Sequence, residues 1–210
     1  YYYKIVTFLL RHQMAKDNIQ DILIKKGREL IYAKGADALT ARKLSEISGY
    51  SVGTIYNQFG SMDRFVLLQN CLTLEELQNF MQKIVPHRDA YVNINRYLDA
   101  FVTFVLNNQN FWSLLFGFHL KNNTANFSRF YLRKIASLMA IVNNAFRDMY
   151  PNLNHKERAV MMHTLWLSLF SLSSFLTTKE AEGFSRVNRK TICKLLLNTY
   201  LAGLRLLPEK

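Results

Sequence analysis

The chain has 210 residues, half of them hydrophobic, which is enough to bury a sizeable core. Its 27 basic and 15 acidic residues give a net charge of +12, which favours a polyanion such as DNA as partner. Two cysteines are too few for a disulfide-stabilised secreted scaffold. Residues 1–64 hold 10 basic and 6 acidic residues and residues 65–210 hold 17 and 9, so charge alone does not locate a binding face.

The cysteines and histidines predict no metal centre or other cofactor. Cys71 and Cys193 are expected to be buried free thiols in a reducing cytoplasm, with a redox-sensing pair as the alternative. The histidines have no Cys, Asp or Glu companion at a recognisable ligand spacing. They are His12, His87, His119, His155 and His163.

Residues 1–13 precede Met14, after which the sequence is typical of the segment that leads into a first helix. Their apolar core, residues 5–10, is too short to span a bilayer, and no small-residue cleavage site follows it. Because Met14 is followed by Ala-Lys-Asp-Asn, we expect the natural chain to begin there and residues 1–13 to be an N-terminal extension.

The first helix is predicted over about residues 18–34. Its apolar residues recur on one side at helical spacing, and Gly27 among them permits a close approach by another helix. Three basic residues are expected to be solvated on the outside. The apolar residues are Ile19, Ile22, Leu23, Leu30 and Ile31, and the basic ones are Lys25, Lys26 and Arg28.

Residues 39–64 contain the start and stop signals of two short helices. Thr40 can cap a helix that begins at the next residue, and Gly49 supplies the left-handed residue that ends it. Ser51 can then cap a second helix over about residues 52–58. Two short helices with a turn of about three residues between them indicate a helix-turn-helix.

The second of these helices has a polar or small outer face that can lie in a major groove. Ile55 and Phe59 are expected to turn inward, as Leu44 and Ile47 do from the first helix. Gly53 costs a helix up to about 1 kcal/mol relative to Ala, which favours a close approach by a partner at that point.

The same residues also fit a serine hydrolase. Gly49, Ser51 and Gly53 match the Gly-x-Ser-x-Gly pattern of a nucleophile elbow. That motif needs a strand before the serine, whereas residues 42–47 have helical spacing, so we do not expect an enzyme. A helical hairpin in an unrelated bundle is the plainer alternative.

From Ser61 onward the pattern is that of a helical bundle, so the predicted fold class is all-α. The apolar period of 3.6 is plainest in residues 127–149, and no strand-like alternation or internal repeat occurs. Helices are predicted near residues 61–84, 88–107, 110–120, 126–149, 154–178 and 187–207.

Residues 159–176 are uncharged and reach the length required for a membrane span. Their one His, one Thr and four Ser argue against lipid, so we expect a helix buried on all sides, between its own domain and a partner. With the last helix it would form a four-helix dimer interface by two-fold pairing. The seam residues on the last helix are Leu195, Leu196, Thr199, Gly203 and Leu207.

Aromatic residues are concentrated in the middle helices, where such residues most often fill a core. If the bundle holds a ligand, the expected site is an apolar cavity with a few polar groups, and the effector is apolar or aromatic. The candidate lining residues are Phe101, Phe104, Trp112, Phe116, His119, His163, Thr164 and Trp166.

Two runs resemble the DNA-binding domain of TetR-family transcriptional regulators: Leu-Thr-Ala-Arg-Lys-Leu-Ser-Glu-Ile-Ser-Gly, from residue 39, and Gly-Thr-Ile-Tyr-Asn-Gln-Phe, from residue 53. The resemblance implies a DNA-binding domain over residues 14–60 and a helical ligand-binding and dimerisation domain over residues 61–210. The implied function is that of a cytoplasmic homodimeric regulator, usually a repressor, that releases DNA when a small molecule binds.

The resemblance also assigns DNA contacts by position. Arg42 and Tyr56 match residues that reach base edges, and Val52 and Gly53 lie where specificity varies. Thr40, Thr54, Asn57 and Gln58 match the phosphate-contacting set. The full predicted DNA-binding set is Thr40, Ala41, Arg42, Ser51, Val52, Gly53, Thr54, Tyr56, Asn57 and Gln58.

Met62 departs from the family pattern, which often has a Lys there, so Arg64 is the candidate for the missing phosphate contact. The expected partner is double-stranded DNA with a near-palindromic operator, whose successive major grooves lie about 34–36 Å apart. Two alternatives stay open. One is a helical small-molecule-binding or interaction protein with a non-functional helix-turn-helix, and the other is a DNA-binding activator or architectural protein without an effector.

Overall fold

The computed structural model describes residues 19–121, 128–178 and 188–205. Within those residues the secondary structure is helical, without a strand, which confirms the predicted all-α fold. Residues 1–13, Phe127 and the seam residue Leu207 lie outside the described residues.

The helices begin and end within a few residues of the predicted positions. A 3-10 turn, Ala36–Ala38, follows the first helix, because Gly35 adopts a φ of 82° and stops it. The helices are α1 (Ile19–Lys34), α2 (Ala41–Ser48), α3 (Val52–Phe59), α4 (Met62–Gln82), α5 (Ala90–Asn107), α6 (Gln109–Lys121), α7 (Arg129–Met149), α8 (His155–Phe175) and α9 (Arg189–Arg205).

The first three helices close a small hydrophobic core against α4 and α6. Gly27 brings α1 against α4: a Cβ added there would lie 2.6 Å from Phe65 Cζ and 2.8 Å from Gln69 Nε2. The close approach predicted at Gly27 is therefore confirmed. The buried residues of this core are Leu23, Leu30, Ile31, Leu39, Leu44, Ile55, Phe59, Phe65 and Phe111.

A larger core lies among α4 to α9. Along α7 the predicted period is confirmed, because Tyr131, Leu138, Val142 and Ala145 are all buried. Each of these helices contributes buried residues to this core.

Helix α8 is not buried on all sides within the single chain. Val160 and Leu167 are 60% or more exposed, and Phe175 is 41% exposed. In the single chain only one face of α8 meets the bundle, so burial of the other face against a partner stays a prediction. Among the described residues, no helix has both the length and the apolar character that a bilayer crossing requires.

Candidate nucleic-acid interface

Local hydrogen bonds define both ends of α2 and the start of α3. Thr40 Oγ1 accepts a hydrogen bond from Lys43 N at 3.2 Å, and Ser51 Oγ accepts one from Thr54 N at 3.1 Å. Gly49 has a φ of 75°, the left-handed conformation that ends α2 at little steric cost. The predicted caps are confirmed, and they hold the two helices at a fixed turn.

Helix α3 is anchored by two inward side chains. Ile55 and Phe59 are buried, and the Phe59 ring meets Phe65 of α4 edge to face with 4.8 Å between centroids. Leu44 of α2 is buried beside them, but Ile47 is 37% exposed, so its predicted inner position is wrong. Helix α2 is only eight residues long, and its last turn extends past the core.

The opposite face of α3 is open to solvent. Val52 is 37% and Tyr56 44% exposed, and a Cβ added at Gly53 would meet only Ser51 Oγ, at 3.6 Å. No neighbouring helix therefore explains the glycine. Of the ten predicted DNA-binding residues, the exposed ones are Thr40, Arg42, Ser51, Val52, Gly53, Tyr56 and Asn57, and the half-buried ones are Ala41, Thr54 and Gln58.

Two of the polar groups already have partners in the chain. Thr54 Oγ1 lies 2.9 Å from Ser51 Oγ, so this hydroxyl already has a partner within the chain. Gln20 Nε2 of α1 donates to the Gln58 backbone oxygen at 3.2 Å, which ties the end of α3 to α1. These bonds fix the backbone of α3 from both ends.

The charges near α3 are few. Lys43 pairs with Glu46 at 2.6 Å, and this bond lowers the pKa of the Glu46 carboxyl, with smaller contributions from Arg42 and Lys34. Within the described residues Arg42 is in no salt bridge. Its guanidinium is the cation of the α2–α3 pair most available to a phosphate or a base.

The start of α4 lacks the lysine that the family pattern often has, because Met62 stands at that position. Met62 is half-buried against the small core and offers no charge. Arg64 is exposed, and its Nη1 would be 3.0 Å from a Cβ at Gly60, so the guanidinium lies directly beside the end of α3. The position suits the phosphate contact expected of Arg64.

Arg28 is not solvated as predicted. Its Nη1 donates to Thr73 Oγ1 at 2.8 Å and to the Gln69 backbone oxygen at 3.3 Å, and its Nη2 pairs with Glu76. Its Cζ lies 3.8 Å from the centroid of the Phe111 ring. Burial lowers the pKa of Arg28 more than the Glu76 carboxylate raises it.

Arg28 thus connects the DNA-reading helices to the bundle, because its partners lie on α4 and α6. The same junction has a hydrogen bond from Asn110 Nδ2 to the Tyr32 backbone oxygen at 3.0 Å. One signal was present in the sequence: Arg28 follows Gly27 and lies four residues after Ile24, at the edge of the apolar face of α1.

Five of the eight candidate ligand-site residues form or border one aromatic cluster. The Phe101 ring contacts Trp112 and Trp166 with centroids 5.4 and 4.9 Å apart. Phe116 and His119 both meet the ring of Phe170, at 5.9 and 5.7 Å. The indole of Trp112 donates to Ser174 Oγ at 2.8 Å. The rings pack on one another as a core does.

Three candidates lie elsewhere. His163 and Thr164 are exposed, and both bond to their own helix, His163 Nδ1 to the Ala159 oxygen at 2.6 Å and Thr164 Oγ1 to the Val160 oxygen at 2.9 Å. The structure therefore contradicts their placement in the interior. Phe104 is buried, but it packs against Phe80 at 6.0 Å and lines a surface groove of about 320 Å³ between α4 and α5.

A small cavity of about 10 Å³, room for one water, lies among α5, α7 and α8 and is lined in part by Trp166. Asn70 of α4 is fully buried, and within the described residues neither its amide nitrogen nor its amide oxygen has a hydrogen-bond partner. Asn70 was not predicted from the sequence, because an amide amid the apolar period of α4 gives no sign of whether it is paired.

His119 is the polar member of the aromatic cluster. Its Nδ1 lies 2.9 Å from the Leu115 oxygen, and its Nε2 lies 3.5 Å from the hydroxyl of the buried Tyr131. Burial lowers the pKa of His119 and outweighs the hydrogen bond to Leu115. The imidazole is therefore held neutral among the rings.

The hydrolase alternative is not supported by the geometry. Ser51 follows helix α2 rather than a strand, and its Oγ serves as the cap of α3. A nucleophile elbow requires a strained strand-to-helix turn with a free serine hydroxyl.

Comparisons with known proteins agree with this architecture. Residues 23–67 match the model of the family described as bacterial regulatory proteins, tetR family. A search of curated proteins by sequence gives no significant match.

Several solved structures share the fold over nearly their whole length. The TetR-family regulator PfmR from Thermus thermophilus is 15% identical with a TM-score of 0.61, covering 86% of this chain and 97% of its own. FadR from Thermus thermophilus, a TetR-family repressor in complex with lauroyl-CoA, is 13% identical with a TM-score of 0.63, covering 91% and 96%. A TetR-family regulator from Bordetella parapertussis is 14% identical with a TM-score of 0.62, covering 92% and 100%. The chain therefore carries the N-terminal domain of the tetR family of bacterial regulatory proteins and has the fold of TetR-family transcriptional regulators.

Proposed function

We propose that this chain is a ligand-responsive repressor that binds a near-palindromic operator as a homodimer. The observation that carries the proposal is the capped helix-turn-helix, which buries Ile55 and Phe59 and turns the other face of α3 to solvent. Residues 14–60 form the DNA-binding domain, and residues 61–210 dimerise and bind the effector. The protein acts in the cytoplasm.

The DNA contacts follow from exposure and chemistry. Arg42 and Tyr56 reach base edges, where a guanidinium and a phenol offer hydrogen-bond donors. Hydroxyl and amide groups at the starts and ends of α2 and α3 bind phosphates and set the register of the domain on the duplex. Arg64, beside Gly60, adds a phosphate contact at the start of α4.

The dimer interface is the exposed face of α8 and α9, which we call the α8–α9 stripe. On α8 its exposed residues recur every three or four positions and include Val160, Leu167 and Phe175. On α9, Leu195 is 67% exposed, and a Cβ at Gly203 would meet no atom within 4 Å. A stripe of apolar and small polar residues on two adjacent helices suits a second copy of itself, because two-fold pairing buries the same surface on both chains. The other exposed residues of the stripe are Thr164, Ser171, Thr191, Asn198, Thr199 and Ala202.

The effector enters the aromatic cluster of the bundle. Phe101, Trp112 and Trp166 supply apolar surface, and His119 supplies a polar group. Because these rings pack on one another, binding of an effector separates them, and that movement reaches α4 and α6, which Arg28 joins to α1. The relative from Thermus thermophilus solved with lauroyl-CoA supports an effector with a large apolar part.

Selection of bound sequences from a random duplex pool, at near-physiological salt, tests the function. We expect the selected sequences to share a near-palindrome. Arg42→Ala and Tyr56→Ala should each lose about 1–3 kcal/mol of DNA-binding free energy and relax the sequence preference. Arg133→Ala, which removes an exposed charge from α7, is the matched control and should bind as the unmodified chain does. A reporter promoter that carries the selected motif should be repressed by the chain.

Sequence-blind, salt-sensitive binding by all of these proteins would contradict the proposal. It would favour the alternative, a helical small-molecule-binding or interaction protein whose helix-turn-helix is non-functional. Binding to a specific motif without repression would favour an activator or an architectural protein.

A further inference from the structure

The DNA-facing side of α3 has an unusual chemistry for a recognition helix. Its eight residues, Val-Gly-Thr-Ile-Tyr-Asn-Gln-Phe, include neither Lys nor Arg. In helix-turn-helix proteins the N-terminal residues of this helix contact base edges. Here those residues are Val52, with an exposed isopropyl group, and Gly53, with no side chain at all.

Gly53 allows the helix to lie deep in the groove. A Cβ there would meet only Ser51 Oγ, at 3.6 Å, so the space outside the backbone is open on the DNA side. With no side chain at this position, the neighbouring Val52 methyl groups can reach the floor of the groove.

Base pairs differ in what they offer such a surface. Guanine is usually read by two N–H donors of Arg or Lys on O6 and N7, whereas thymine alone presents a methyl group, which apolar side chains contact. Arg42 is the single cation of the α2–α3 pair outside a salt bridge within the described residues, and it lies on α2. A guanine contact therefore belongs to Arg42 and not to α3.

We infer that each operator half-site presents A·T pairs to α3, with a thymine 5-methyl group packed against Val52. This inference rests on the proposed DNA-binding function and names the class of sequence that it recognises. Val52 is thus a specificity-determining residue, and its contribution depends on one methyl group of the DNA.

Replacement of thymine by deoxyuridine removes that methyl group and leaves base pairing unchanged, so it tests the inference directly. Each thymine of the selected operator is replaced in turn, and affinity is measured for the unmodified chain, Val52→Ala and Val85→Ala. Val85 is exposed in the segment between α4 and α5, so Val85→Ala controls for the substitution itself.

We expect one thymine per half-site at which the replacement weakens binding about three- to fourfold, the effect of one buried methyl or methylene group. Val85→Ala should lose as much affinity on this replacement as the unmodified chain does. Val52→Ala should lose no affinity when that thymine is replaced. Two outcomes would overturn the inference while leaving the proposed function intact: a specific motif with G·C pairs opposite α3, or a deoxyuridine effect that persists in Val52→Ala. A selection that yields no motif would overturn both.

Discussion

Two glycines within helices of the DNA-binding domain occupy opposite environments. Gly27 has no room for a methyl group, because Phe65 Cζ and Gln69 Nε2 lie 2.6 and 2.8 Å from the position of its Cβ. Gly53 faces open space, with its nearest atom at 3.6 Å. The first is required by packing inside the chain, and the second is free for an external partner.

The same substitution should therefore have opposite effects at the two sites. Gly27→Ala should lower the free energy of unfolding by about 1–3 kcal/mol through overpacking. Gly53→Ala should raise it by about 0.5–1 kcal/mol, since alanine favours the helix and restricts the unfolded chain. Urea denaturation measures both, and Gly53→Ala should also weaken operator binding. A destabilising Gly53→Ala would show that α3 is packed on its outer side.

His119 makes stability depend on pH. Burial lowers the pKa of its imidazole in the folded chain, so the unfolded chain binds the proton more readily. The resulting stability is fully present above the ordinary histidine pKa and is lost as pH falls through the lowered value. Urea denaturation at neutral and mildly acidic pH measures the free energy of unfolding. Its decrease on acidification should be smaller for His119→Gln than for the unmodified chain. Equal losses would contradict this role of His119.

At the scale of helices, Arg28 connects three elements. It extends from α1 to Thr73, Gln69 and Glu76 of α4 and lies over Phe111 of α6. A movement of α4 or α6 in the bundle therefore acts on α1, which buttresses α2 and α3 through the small core. In the proposed function, this connection is the physical route by which an effector alters the helices that contact DNA.

Removal of the Arg28 contacts should lower the free energy of unfolding. Arg28→Met keeps the aliphatic stem but removes the donor to Thr73 Oγ1 and the partner of the Glu76 carboxylate, so we expect a loss of about 1–3 kcal/mol in the free energy of unfolding. Lys26→Met removes an exposed cation whose salt bridge is to Glu29 on the same helix, and should change stability by less than about 0.5 kcal/mol. Urea denaturation measures the free energy of unfolding of both variants. Similar values would contradict a structural role for the Arg28 contacts.

Elements set by local chemistry could be predicted from the sequence. Thr40, Gly49 and Ser51 fix the ends of α2 and the start of α3 through contacts with residues a few positions away, so the helix-turn-helix was found correctly. Gly27 was identified because a glycine within the apolar face of a helix indicates that another element packs closely against it.

Positions set by tertiary packing could not be predicted. Arg28 was expected to be solvated but is covered, because its partners lie on α4 and α6 and not on its own helix. Ile47 was expected to face inward but is 37% exposed. His163 and Thr164 have the residue types of a ligand site, but the rotation of α8 places both at the surface. The polarity of a residue does not determine the direction in which its helix faces.

At the scale of the whole molecule, the two ends of the chain have complementary roles in the proposed function. The α8–α9 stripe pairs two chains, and the paired chains present two copies of α3. The distance between those copies must match successive major grooves, about 34–36 Å apart. An effector that favours another spacing weakens DNA binding, and by linkage DNA weakens binding of the effector equally.

The most direct test of this account is the affinity for the selected operator before and after insertion of about 5 bp, half a helical turn, between its half-sites. The affinity of the unmodified chain should fall about 100-fold or more, since the second recognition helix then faces the wrong side of the duplex. Leu195→Glu in the stripe should sediment as a monomer and bind weakly with or without the insertion, whereas Leu132→Glu, on exposed α7 surface, should behave as the unmodified chain. Unchanged affinity of the unmodified chain after the insertion would contradict the two-site, dimeric account.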